Sequence, residues 1–289
     1  MSAPATAVFP PRERPLDPAE VDRLVVAALA EDLGGGDRTS EVALDEDATA
    51  TAALLLKEPG VVCGLDVAVA TFRALDPAAR VDLGAADGDR VDGVPFELAR
   101  VEGKARALLA AERTALNLLG RLCGIATLTR RYVDAVPGTG AVVLDTRKTT
   151  PGLRLLEKHA VRCGGAVNHR FGLDDAILLK DNHRRLAASL RDAVERARRT
   201  GLAVEVECET IDDVGEALEL GVDAILLDNM SLPMLREAVA LADGTAALEA
   251  SGGVTLDTIR AIAETGVGFV SVGALTHSAR SLDVSMEVA

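Results

Sequence analysis

The chain has 289 residues, enough for one large or two modest domains, and 31 Lys+Arg against 45 Asp+Glu leave a formal net charge of −14. That balance excludes a broad duplex-binding surface, and an aromatic content of 2 % excludes a platform that stacks bases or sugars. No apolar run approaches the ~18 residues of a membrane span. Cys63, Cys123, Cys163 and Cys208 stand far apart with no C-x-x-C pair. This argues against a disulfide scaffold and a structural zinc site, predicts four inert packing residues, and points to a reducing cytoplasm.

In chain order, the proline-rich first twenty residues read as a loose arm and not a signal peptide. Asp17 as N-cap, Pro18 at the first helical position, Glu20 reaching back and Gly34-Gly35-Gly36 as a stop predict a helix over 18–33. From Ala48 to Leu98, short apolar runs broken by Gly and Asp predict a small sheet with tight turns and a helix near 65–75. Lys104 to Val136 is rich in helix formers, with Gly120 and Gly124 at expected close contacts. After Gly140 the pattern becomes strand then helix: AVVLD, AILLK, AVEVE, AILLD, AALEAS and FVSVG are the strands, with helices expected over 185–199, 211–220, 232–242 and 256–264. Alternation of this kind gives parallel strands covered by helices, in a barrel or an open doubly wound sheet. The strand ends favour the barrel. Asp145 leads into Thr146-Arg147-Lys148, and later strands end at Lys180, Glu207, Asp228, Ser251 and Ser271-Val272-Gly273, which gathers reactive groups at one mouth.

From Asp145 to Arg185 there are nine Lys/Arg against five Asp/Glu, and three of the four histidines, His159, His169 and His183. On an acidic background this describes a focused pocket for a small polyanion. Adjacent arginine and lysine are most often surface charges, but Arg147 and Lys148 share the strand-end face with His169, Arg170 and Lys180. Arginine suits bidentate carboxylate, and lysine acts as a point charge for phosphate. Glu207 and Asp228 are charges at strand ends, where Mg²⁺ or sugar hydroxyls would satisfy them. Ser251-Gly252-Gly253 and Ser271-Val272-Gly273 are candidate phosphate loops, and Thr210 and Ser231 are candidate helix caps. Arg113, four residues after Leu109 and three before Leu116, is expected on an apolar helix face. There it needs an internal carboxylate or the anionic site of another subunit.

These residues carry a resemblance. AERTALNLLGRLCGIATLT, DTRKTTPGLRLLEKHAV, NHRFGLDDAILLKDNH, ILLDN, ASGG and SVGALTHS resemble the quinolinate phosphoribosyltransferase family over nearly the whole chain. Two departures stand out: His159 takes a place often aromatic in the family, and Gly164-Gly165-Ala166 replaces a run of three glycines. The resemblance implies an α/β fold with an N-terminal α/β sandwich domain over 1–116, rejoined by 279–289, and an incomplete parallel β/α barrel over 117–278. It implies transfer from phosphoribosyl pyrophosphate to quinolinate with decarboxylation, with Mg²⁺ on Glu207 and Asp228 and no organic cofactor. Quinolinate would meet Arg147, His169, Arg170, Lys180 and, across a homodimer interface, Arg113. Phosphoribosyl pyrophosphate would meet Lys148, Lys180, Glu207, Asp228, Ser251, Gly252, Gly253, Ser271, Val272 and Gly273, with Lys148, Lys180, Glu207 and Asp228 as the catalytic set. A molybdenum-transport-associated relative of the same fold and a non-catalytic anion sensor are the alternative readings.

Overall fold

The computed structural model describes residues 15–289. The predicted N-terminal arm lies almost wholly outside them. The described residues divide into two compact units, one made of residues 15–130, Thr149–Gly165 and Ser278–Ala289, the other of Arg131–Lys148 and Ala166–His277. The long helix therefore runs through the sequence-based boundary at 116/117, and the segment just after Lys148 groups with the first unit.

The first unit opens with α1 (Pro18–Leu33), where Asp17 accepts the Ala19 N–H and Gly34 ends the helix at φ 49°. Glu20 pairs with Arg23 one turn on, at 3.8 Å. After α2 (Arg38–Ala43) come β1 (Thr49–Leu56), β2 (Gly60–Val61), α3 (Leu65–Leu75), β3 (Arg80–Leu83), β4 (Arg90–Val91), β5 (Phe96–Lys104) and the 30-residue α4 (Ala105–Asp134). Strands β1, β5 and β3 form an antiparallel sheet, and the last strand of the chain, β12 (Val284–Val288), joins it beside β1. In β1, Ala52, Leu54 and Leu56 are buried at every second position. They pack with Phe72, Leu98, Val101, Leu108, Ala111, Ala115 and Leu119 in one core. Gly120 and Gly124 are the expected close contacts: a Cβ on Gly120 would lie 2.7 Å from the Leu282 carbonyl oxygen, and one on Gly124 would overlap that of Arg280.

Also in this unit, α5 (Arg154–Cys163) buries Glu157 completely. Its carboxylate accepts from Arg121 Nη2 at 2.8 Å and Nε at 3.2 Å, from the Thr150 N–H at 3.0 Å and from Thr150 Oγ1 at 2.8 Å. The cysteines divide. Burial pushes the Cys123 and Cys208 thiols up to about 12, as inert packing requires. Cys163 departs from that expectation: a hydrogen bond with Cys63, aided against burial by His159, draws its thiol down to about 6.

The second unit holds a six-stranded parallel sheet in the order β6 (Val142–Leu144), β11 (Phe269–Ser271), β10 (Ala247–Ser251), β9 (Ala224–Asp228), β8 (Val204–Cys208), β7 (Ile177–Leu179). These are the six strands expected from sequence. Beyond β6, Leu144 bridges Val167 in parallel. Among the described residues no pairing joins Val167 to β7, so the curved sheet is an incomplete β/α barrel. Between the strands run α6 (Asp181–Leu186), α7 (Leu190–Arg198), α8 (Ile211–Glu219), α9 (Leu232–Ala242) and α10 (Ile259–Ala263), with α11 (Ala274–His277) after β11. Thr210 and Ser231 cap α8 and α9 as expected. Two helix expectations are corrected. The helix sought over 185–199 is broken before Ser189, whose hydroxyl accepts the Asp192 N–H and starts α7. That sought over 256–264 begins only at Ile259.

Side chains alternate across each strand, so inward positions stack in layers. Leu144, Ala224 and Phe269, with Val142, Val167 and Ala247, form an apolar floor. Two residues further along β9, β10 and β11 stand Leu226, Glu249 and Ser271, and two beyond the first two of these stand Asp228 and Ser251, opposite each other in register. The polar residues therefore collect at the carboxyl ends.

Candidate active site

That mouth is a cavity of 610 Å³ lined by Arg147, Lys148, His169, Arg170, Lys180, Glu207, Asp228, Ser251, Gly252, Gly253 and Ser271, together with Thr146, Asn229 and Glu249. Eleven of the thirteen barrel residues expected at the site thus face one space. Val272 and Gly273 do not line it. The Val272 side chain is buried and its N–H donates to the Leu144 carbonyl, so it has no donor to offer a ligand. Gly273 leaves room for the Lys148 stem, whose Cδ would lie 3.1 Å from a Cβ there.

Arg147 is half-buried and makes no ion pair among the described residues, and its Nε is buried without a hydrogen-bond partner. Arg170 is buried, with Nη1 donating to the Ala176 carbonyl at 3.0 Å. Burial, and then repulsion from Arg147, lower its pKa. The cavity thus holds two guanidiniums that repel each other, one of them with an orphaned donor. The Ser271 hydroxyl, also buried and unpartnered, adds a further polar group to the wall.

Against His169 lies an acidic pair that sequence reading passed over. Glu205 and Glu249 are buried, and their Oε2 atoms stand 3.1 and 3.3 Å from His169 Nε2. Burial and then the charge of Glu249 push the Glu205 carboxyl up to about 7, partly opposed by His169. His169 Nδ1 accepts the Arg170 N–H at 2.7 Å, so the ring proton sits on Nε2, between the carboxylates. Both ring nitrogens are engaged inside the protein. His169 thus lines the cavity and also fixes the backbone of Arg170. Asp145, fully buried, holds the same segment by accepting the His169 N–H at 2.8 Å and Asn168 Nδ2 at 2.7 Å. The overlooked signal was an acid two residues before each strand's functional end, in AVEVE and AALEAS, where period-two alternation places it on the inward face.

On the other wall, Lys180 Nζ donates to Glu207 Oε2 at 2.9 Å, and Asp228 Oδ2 accepts from Asn229 Nδ2 at 2.8 Å. The third histidine of the cationic segment, His183, accepts the Lys180 N–H at 3.0 Å and so closes the first turn of α6. Gly252 (φ 98°) and Gly253 (φ 57°) turn the chain back after β10, where a side chain on Gly252 would strike Asn229. Arg113 requires correction. It is exposed, with Glu112 3.9 Å away, on a face it shares with the exposed Leu109, while Leu116 turns to the core.

A parallel β/α barrel-type unit with a guanidinium pair and a lysine–carboxylate pair at its strand ends defines an enzyme that handles small polyanions. The chain belongs to the quinolinate phosphoribosyl transferase family, whose N-terminal domain model matches residues 37–123 and whose C-terminal domain model matches 125–287. It is 41 % identical to a probable nicotinate-nucleotide pyrophosphorylase [carboxylating] of Bacillus subtilis over 93 % of each chain. It is 44 % identical to the protein so named from Synechocystis over 90 % of each. Among solved structures, the nicotinate-nucleotide pyrophosphorylase of Francisella tularensis superposes with a TM-score of 0.91 at 39 % identity, covering 95 % of this chain and 98 % of that one. NadC of Streptococcus pyogenes gives 0.91 at 41 % identity, covering 96 % and 99 %.

Proposed function

We propose that this protein transfers the phosphoribosyl group of phosphoribosyl pyrophosphate to quinolinate with loss of CO₂, giving nicotinate mononucleotide and pyrophosphate for NAD biosynthesis. The observation that carries the reading is the Arg147–Arg170 pair, two guanidiniums in one cavity with the Arg147 Nε buried and unpartnered. A dicarboxylate would satisfy both at once. Lys148 and the amides of Gly252 and Gly253, in the same cavity, suit phosphates, and Ser251 and Ser271 add hydroxyls.

Glu207 and Asp228 occupy adjacent strands, and on β8 and β9 Glu207 is in register with Leu226, one inward position before Asp228. Two carboxylates at a cavity that must accept phosphates fit Mg²⁺, which keeps substrate oxygens and water in its shell. Bound there, the ion would neutralise the departing pyrophosphate. Lys180, already 2.9 Å from Glu207, links this wall to the carboxylate clamp.

In the reaction the pyridine nitrogen bonds to the anomeric carbon as the bond to pyrophosphate breaks. The clamp contributes by fixing the ring, and the cationic wall by stabilising the leaving group. The ring nitrogen is then cationic, so the adjacent carboxylate departs as CO₂, leaves its electron pair on the ring carbon, and a proton replaces it. The ring itself is the electron sink, so the chemistry requires no organic cofactor.

The exposed Leu109–Arg113 face suits a homodimer in which Arg113 completes the partner's clamp. No helix of the described residues is long and apolar enough to cross a membrane, and four cysteines without a disulfide suit the cytoplasm. The test is product formation from quinolinate and phosphoribosyl pyrophosphate. Nicotinate, with one carboxylate, should be a poor substrate; comparable turnover of nicotinate would overturn the assignment of the guanidinium pair.

A further inference from the structure

Away from the barrel cavity, the first unit brings together a second group of chemically competent side chains. One ligand atom each from Cys63, Asp87, His159 and Cys163 lies within 4.8 Å of the other three. His159 Nε2 is 2.9 Å from Asp87 Oδ2 and 3.4 Å from Cys163 Sγ. Cys63 lies between β2 and α3, Asp87 on the turn between β3 and β4, and His159 and Cys163 four residues apart on one face of α5. None of the four lines the barrel cavity.

We propose that Cys63, Asp87, His159 and Cys163 form a four-coordinate site for a zinc-type divalent cation, independent of the proposed catalytic reaction. Two sulfurs, an imidazole nitrogen and one carboxylate oxygen are the donor set of a borderline-soft ion with tetrahedral geometry. With metal–ligand bonds of about 2.0–2.3 Å, tetrahedral donors stand roughly 3.3–3.8 Å apart. The separations of 2.9 and 3.4 Å therefore need shifts of well under an ångström. Outer contacts already hold two of the ligands. The Asp87 carboxylate accepts the N–H groups of Gly64 and Leu65 at 2.9 and 3.1 Å, and the Cys63 N–H donates to Cys123 Sγ at 3.3 Å. Cys63 is fully buried, whereas the Asp87 and His159 side chains are each 19 % exposed, which leaves an entry side. Two thiolates, a carboxylate and a dication leave one net negative charge. Binding through Nε2 places the ring proton on Nδ1, so Arg162, 3.3 Å from that nitrogen, must swing away from it. Convergence of the nitrogen and oxygen donors on the two sulfurs favours a metal over a simple disulfide, which would use neither His159 nor Asp87.

The test uses the full chain, purified with reductant and chelator and titrated with Co²⁺. One equivalent should produce thiolate-to-cobalt charge-transfer absorption with the visible bands of a tetrahedral ion, both abolished by Zn²⁺. Cys163→Ser and His159→Tyr should each weaken Co²⁺ binding by roughly tenfold or more, with Asp87→Asn as an independent check should either disturb folding. Glu207→Ala should keep the charge-transfer band, since carboxylates alone cannot generate it. Absence of the band in protein with all thiols reduced, wild-type Co²⁺ affinity in Cys163→Ser, or isolation of the chain with a Cys63–Cys163 disulfide and no metal would each overturn the proposal.

Discussion

Replacing Arg147 by methionine should make the empty protein more stable and the enzyme useless. Its Nε is buried without a partner, and its charge opposes that of Arg170 across the same cavity. A buried unsatisfied polar group costs about 1–3 kcal/mol. Methionine fills similar volume without that cost, so unfolding in denaturant should shift toward higher stability by about 1–2 kcal/mol. Quinolinate inverts the order. Loss of one arm of a desolvated charge pair costs about 2–4 kcal/mol, so affinity should fall by roughly 30- to 1000-fold. A ligand at a hundred times its dissociation constant stabilises the native state by about 2.7 kcal/mol. The wild type should therefore be the more stable of the two once quinolinate is added at that level. Denaturant unfolding with and without quinolinate, beside isothermal titration, reads all these quantities. An Arg147→Met protein that is less stable when empty, or that binds quinolinate as the wild type does, would refute the argument that this guanidinium is held in strain for a carboxylate.

Lys148→Ala should mainly raise KM for phosphoribosyl pyrophosphate, by roughly tenfold or more, with quinolinate affinity nearly unchanged in titration, because this exposed lysine is proposed to hold phosphate. Glu207→Ala and Asp228→Ala should lower turnover in Mg²⁺ while leaving quinolinate binding nearly intact; the opposite pattern would exchange the two walls of the site. Glu157→Ala should destabilise the chain by about 3–5 kcal/mol in denaturant unfolding, since it leaves Arg121 without its buried carboxylate and frees Thr150. Arg113→Ala and Arg147→Ala should each be nearly inactive alone. Mixed in equal amounts with subunit exchange, half the dimers are hybrids with one intact site of two, which restores roughly a quarter of wild-type activity. No recovery despite proven exchange would confine Arg113 to its own chain.

The barrel was legible in the sequence because two independent signals agreed there. Six short apolar runs supplied the strands, and the groups that ended them supplied the face, so AILLK and AILLD located Lys180 and Asp228 as well as β7 and β9. Helices were placed well wherever a cap was written into the chain, as at Asp17, Thr210 and Ser231. Where no cap was read, over 185–199 and 256–264, helix propensity alone ran through Ser189 and through the turn before Ile259. The apolar surroundings expected for Arg113 misled for a different reason. Leu109 and Leu116 flank it at helical spacing, yet only Leu116 faces the core, because i−4 and i+3 bracket a face without saying which edge of it is covered.

The polar groups missed in the sequence share one physical property: their meaning depends on partners distant in the chain. Glu205 and Glu249 resemble ordinary charges in apolar strands until β8 and β10 bring both within 3.3 Å of His169 Nε2. Once together, they show what holds the His169 ring in place. Its proton lies between the two acids, and its other nitrogen accepts the Arg170 amide. The same limit hid the cysteines. The four-residue step from His159 to Cys163 is a helical ligand spacing, but Cys63 and Asp87 come from two other segments, so no linear motif joins them. A search for C-x-x-C excludes zinc fingers and says nothing about a site assembled by tertiary contact. Strand alternation and strand ends recover the residues that face a ligand. The residues that hold those in place become visible only when the strands are set side by side.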